Sequence, residues 1–186
     1  MNLIAAVLWR RLDVPALEHS RLFETPVGFL LEGRVLTLVD DSPAEAHYAV
    51  QCGADWITRE AQVHVVQGAS TKSIRIRRDE SGRWWADDAW LPELDGVVDI
   101  DLQLSPSTNT LPIRRMALGV GESRATDAAW VRFPALTCER LSQRYARVAE
   151  LRYRYESRAG AFVADLDIDE HGLVVRYDDI WDRVTG

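Results

Sequence analysis

Two carboxylates and two guanidinium groups stand out as residues that could do chemistry. Asp99 and Asp101 lie two apart in "GVVDIDLQL". On a strand both side chains leave the same face, with α-carbons roughly 6.5–7 Å apart. Carboxylates about 5–9.5 Å apart can run glycoside hydrolysis, provided burial or mutual repulsion raises one pKa. The same spacing recurs at Asp165, Asp167 and Asp169 with no chemical companion, so a solvated or structural face is the competing reading. Arg114 and Arg115 close the stretch "SPSTNTLPIRR" over residues 105–115. Arginine is suited to planar, bidentate bonds with carboxylate or phosphate. Adjacent residues point to opposite faces of a strand and diverge by about 100° on a helix. One arginine is therefore expected to pair with Asp99 or Asp101, and the other to face a ligand or solvent.

The stretch itself reads as a rigid mount. Pro112 fixes its own φ and biases Leu111 toward extended geometry. Ser105, Ser107, Thr108, Asn109 and Thr110 can bond locally to backbone groups, with a cap at Asn109 or Thr110 for a short helix.

The remaining candidates are aromatic. Seven tryptophans are present, at positions 9, 56, 84, 85, 90, 130 and 181. Indoles join apolar area to one donor, which suits amphiphilic ligands, although large indoles also fill cores. Trp84 and Trp85 place one ring on each sheet face, and with Trp90 they are candidate wall residues. Nucleophile-elbow, zincin, dinucleotide-binding and P-loop motifs are absent. The four histidines, His19, His47, His64 and His171, are scattered. No catalytic residue, metal site or cofactor is assigned.

The elements that must hold these groups are mostly strands. In "GAFVADLDIDEHGLVVRYD" Phe162, Ala164, Leu166 and Ile168 alternate with Val163, Asp165, Asp167 and Asp169, the pattern of a half-buried antiparallel strand. "DEHG" turns the chain, and Leu173, Val175 and Tyr177 continue the apolar face. Similar alternation marks Val97–Leu104, Glu150–Ser157, two strands around the "DESG" turn, and a pair within residues 47–67. Roughly ten to twelve strands are expected by this pattern. Short helices are expected at Pro43–His47, after Thr110 and at Tyr177–Val184. That many antiparallel strands in one domain over residues 1–186 implies a curled sheet, a barrel or half-barrel with a few short helices.

Charge and composition narrow the function classes. A net charge of −7 argues against a nucleic-acid partner. Leu111 to Arg158 nevertheless holds ten arginines against five acids. No apolar run reaches the ~20 residues of a membrane-spanning helix. The opening "MNLIAAVLWRRLDVP" reads as a first strand rather than a signal peptide. With Cys52 and Cys138 as free thiols, a cytoplasmic location is expected.

The strings "LPELDGVVDIDLQLSPSTNTLPIRRMAL", "QRYARV", "YRYES" and "FVADLDIDEHGLVVRYDDIW", with "VLWRRLD" and Glu18 early on, resemble a bacterial glycolipid-binding family that began as a domain of unknown function. The resemblance covers about residues 8–184. It implies a curled antiparallel sheet with a helical plug, similar to the lipoprotein carriers LolA and LolB. It also implies a non-enzymatic carrier or sensor of a glycolipid or other amphiphile. On that reading the acyl part lies in the concave apolar face against Trp84, Trp85 or Trp90. Arg114 or Arg115 meets the head group with Asn109 and Thr110, while Asp99, Asp101 and Pro112 are structural. The alternatives are a hydrolase using Asp99 and Asp101, or an interaction module without a small ligand. A deep apolar cavity favours the carrier, a cleft with two close carboxylates the hydrolase, and a packed interior the module.

Overall fold

The computed structural model describes residues 1–185. Its strands are β1 (Asn2–Arg11), β2 (Ala16–Thr25), β3 (Gly28–Val39), β4 (Ser42–Gly53), β5 (Thr58–Gln67), β6 (Ser70–Arg78), β7 (Trp84–Ala86), β8 (Ala89–Trp90), β9 (Asp99–Leu102), β10 (Ser123–Val131), β11 (Cys138–Ala149), β12 (Arg152–Ser157), β13 (Phe162–Ile168), β14 (Val174–Tyr177) and β15 (Trp181–Thr185). One helix, α1 (Thr110–Met116), lies between β9 and β10. All the strands join one sheet in the order β8-β7-β6-β5-β4-β3-β2-β1-β15-β14-β13-β12-β11-β10-β9. Two meanders thus meet where β1 pairs with β15, Trp9 opposite Arg183.

Every neighbouring pair is antiparallel except β9 with β10, which run parallel with Ile100 opposite Ala129. A parallel pair needs a crossover connection, and the segment that carries α1 supplies it. The sheet curls until its two halves touch: Thr58 N donates to Val98 O at 3.0 Å. Trp84 Nε1 and Arg78 Nε both donate to Val97 O, at 2.8 and 2.9 Å. The edge strands β8 and β9 do not pair with each other, so the result is a half-barrel.

The structure corrects the sequence reading in four places. Fifteen strands replace the ten to twelve expected: the two-residue β8 is too short for a periodicity count, and β15 falls where a helix was expected. Pro43–His47 belongs to β4, where Ala44 and Ala46 are buried and Ala46 pairs with Val35 and Val65. Tyr177–Val184 forms the end of β14 and most of β15. The Phe162–Tyr177 hairpin stands, with Gly172 at φ 82° in its turn. A bulge between Asp167 and Ile168 shifts its phase, however, so Val174 is buried and Val175 exposed.

The crossover fills the hollow of the half-barrel. Ile100, Leu102 and Leu111 pack into one cluster with Trp9, Leu31, Val50 and Trp84. Ile113 and Met116 pack into a second with Tyr145, Tyr153, Tyr155, Leu166 and Ile168. The apolar concavity expected to hold an acyl chain is therefore occupied by the protein's own side chains. Pro112 is buried in the first turn of α1, where its missing N–H is no loss.

Candidate functional site

A cleft of about 300 Å³ opens between the crossover and the β10–β15 half of the sheet. Asp101, Ser105 and Asn109 line it from the crossover. Trp130, Tyr155, Phe162, Tyr177 and Trp181 line it from the sheet, with Arg11, Arg132 and Arg158 among the charged groups around it. Tyr155, Phe162 and Tyr177 pack edge to face, with ring centroids 5.9–6.3 Å apart. Two arginines cap two of the indoles: Arg11 lies 5.6 Å from the Trp181 ring centroid and Arg132 4.3 Å from that of Trp130.

Strand alternation explains how a carboxylate comes to face this cleft. Ile100 and Leu102 occupy the larger core, so Asp99 and Asp101 leave the opposite side of β9. The two acids then diverge in role. Asp99 is buried and takes Arg115 in a bidentate bond, Nε to Oδ1 at 2.9 Å and Nη2 to Oδ2 at 2.5 Å. Thr126 Oγ1 also donates to Asp99 Oδ2 at 2.9 Å. Asp101 has no arginine. Gln143 Nε2 donates to its Oδ2 at 2.6 Å and lies 3.0 Å from the Tyr155 hydroxyl. Burial pushes the Asp101 carboxyl up to about 6, against the pull of the Gln143 hydrogen bond.

Behind Ser105 sits a buried polar group that the sequence reading did not place in a site. Glu18 Oε1 accepts from Tyr48 OH and Ser105 Oγ, each at 2.6 Å. Ser107 lies 2.7 Å from Ser105 Oγ. Glu18 Oε2 is buried with no partner. Burial raises the Glu18 carboxyl to about 8 despite these hydrogen bonds. Tyr48 reaches the group because its ring lies over Gly33, where a Cβ would come within 2.4 Å of the hydroxyl. The phase of β2 carried the signal: Ala16, Glu18, Ser20 and Leu22 alternate inward.

The residues singled out from the sequence are dispersed. Asn109 lines the cleft, accepting from Tyr145 OH at 2.9 Å and donating to Pro106 O at 3.0 Å. It makes no side-chain cap on α1. Thr110 Oγ1 donates to Gly172 O at 3.0 Å, which ties α1 to the β13–β14 turn. Arg114 is exposed, 5.3 Å from the Trp56 ring centroid, with Nη1 3.3 Å from Glu170 O. Trp84 is fully buried in the core. Trp85 is half-buried on the other face, with Arg77 4.9 Å from its ring centroid, and Trp90 pairs with it across β7 and β8. None of these three tryptophans lines the cleft, because the inner face at β7 is already packed.

Fold and cleft together define a class: a plugged half-barrel with one cleft that combines aromatic walls, a carboxyl floor and arginines. The chain belongs to the family described as "Putative glycolipid-binding", whose model matches residues 6–183. It is similar to the crystal structure of a DUF1089 family protein from Pseudomonas aeruginosa, with 32% identity and a TM-score of 0.81 over 90% of this chain and 92% of that one. No curated protein matches it.

Proposed function

We propose that this protein binds the hydroxylated head group of a glycolipid or related amphiphile in the Asp101 cleft, without transforming it. One observation carries the reading: a hydrogen-bonding carboxyl floor lies within aromatic walls, and sugar rings present both polar edges and apolar faces. At about 300 Å³ the cleft is at the bottom of the roughly 300–1,000 Å³ range of small-molecule sites. Its lining mixes charged and aromatic groups, unsuited to an acyl chain. The head group therefore enters and the chain stays outside, which favours recognition over carriage of a buried lipid. Against glycoside hydrolysis, Asp99 is held by Arg115 and Asp13 by Arg11, and Glu18 is buried behind Ser105 rather than lining the cleft. The unpaired Cys52 and Cys138 accord with a reducing, cytoplasmic setting.

Titration with octyl glucoside below its micellar concentration, followed by tryptophan fluorescence, tests this reading. An Asp101 carboxylate accepts hydroxyl hydrogen bonds better than the neutral acid. Affinity should therefore rise as pH climbs through about 6 and then level off. Asp101→Asn should bind more weakly above that pH and lose the pH dependence. Saturable binding that is unchanged in Asp101→Asn would place the ligand elsewhere.

A further inference from the structure

The β12–β13 turn holds Arg158, Ala159 and Gly160 in succession at φ of 51°, 53° and 85°. Only the glycine adopts that left-handed region without strain. Backbone strain of this kind persists where the surrounding structure enforces it, and it gathers at binding sites. Here it sets an arginine at the cleft. In the same hairpin Arg152 and Arg154 are paired with Asp167 and Asp165. Among the described residues Arg158 has no ion-pair partner and is exposed.

We propose that the head group this cleft recognises carries an anionic group (phosphate, sulfate or carboxylate) beside its hydroxyls, and that Arg158 is the residue that reads it. The inference rests on the cleft reading above and specifies its ligand class. The other arginines at the cleft are engaged, Arg11 with Asp13 and Arg132 with Glu139. Arg158 is thus the guanidinium left free for a bidentate bond. Tyr155 lines the cleft with both charges: burial and then the Asp101 carboxylate push its hydroxyl pKa up, and Arg158 pulls it down. The ligand is thereby oriented, with hydroxyls toward Asp101 and the anion toward Arg158, since a carboxylate floor repels an anion.

Three probes test the proposal: octyl glucuronide, octyl glucoside and free glucuronate, each titrated by calorimetry near pH 7. Octyl glucuronide should bind about 10- to 150-fold more tightly than octyl glucoside, the range for one charged hydrogen bond. Salt should shrink the difference, and Arg158→Gln should abolish it. Arg158→Gly relieves the left-handed strain, so it should keep or raise the melting temperature and still lose the preference. Equal binding of the two glycosides, or a preference that survives both variants, overturns the proposal and leaves the cleft reading intact. If neither glycoside binds, the cleft reading falls and takes this inference with it. Free glucuronate binding as tightly as octyl glucuronide would support the role of Arg158 and identify a soluble sugar acid instead of a lipid.

Discussion

Glu18 is a carboxyl group in a place where a charge is disfavoured, and its proton should be visible in the stability curve. Its pKa is about 8 when folded and ordinarily about 4.5. Below the lower value both folded and unfolded forms are neutral. As pH rises between the two values the unfolded chain ionises first, so stability is lost across that window. Glu18→Gln keeps an acceptor for Tyr48 and Ser105 without the titration. It should be close to the parent near pH 5 and exceed it near pH 8, by roughly 3–4 kcal/mol. Parallel slopes in thermal melts at both pH values would show that Glu18 is not the titrating group. The two adjacent arginines separate just as clearly. Asp99 is buried and Arg115 mostly so, so Asp99→Asn should lower stability by about 3 kcal/mol, as breaking a buried pair does. Arg114→Ala should lose no more than about 1 kcal/mol, since only the contact with Trp56 and one long, exposed hydrogen bond to Glu170 O go. Comparable losses in chemical denaturation would contradict that division. Adjacency alone predicted that the two arginines would part. Which one turned inward depended on the helical register of α1 against β9, which no local pattern displays.

At the level of elements, strands were legible wherever one face is buried and the other wet, as in β12 and β13. They were misread where composition pointed elsewhere. Pro43–His47 contains helix-favouring alanine and glutamate, yet pairing with β3 and β5 on both sides overrides that preference. Trp84, Trp85 and Trp90 looked like walls because indoles suit ligands equally well, and only the packed inner face shows that Trp84 is core. The cleft itself was largely hidden. Asp101, Trp130, Tyr155, Tyr177 and Trp181 come from five strands, and nothing in their local sequence announces that they meet. Gly33 ties β3 to the buried polar group. Gly33→Ala would drive a Cβ into the Tyr48 ring, which cannot swing aside without breaking its bond to Glu18. The expected loss is about 2 kcal/mol in urea unfolding, the usual range for an overpacked core. An unchanged midpoint would mean that Tyr48 does not depend on that space.

For the whole molecule, the crossover from β9 through α1 decides what the curled sheet can do. It fills the apolar hollow and leaves a mixed cleft at the side. On the proposed reading, that architecture admits a head group at the side and keeps an acyl chain out of the core. Among the described residues no helix is long and apolar enough to cross a membrane. The proposed function stands or falls on where the ligand binds. Amide and indole resonances assigned by NMR, followed during titration with octyl glucoside, report on it directly. The account predicts shifts concentrated at Asn109, Tyr177 and the Trp130 and Trp181 indoles, with Trp85, Trp90 and Arg114 unmoved. Shifts centred on Trp85 and Trp90, or none at saturating ligand, would contradict it.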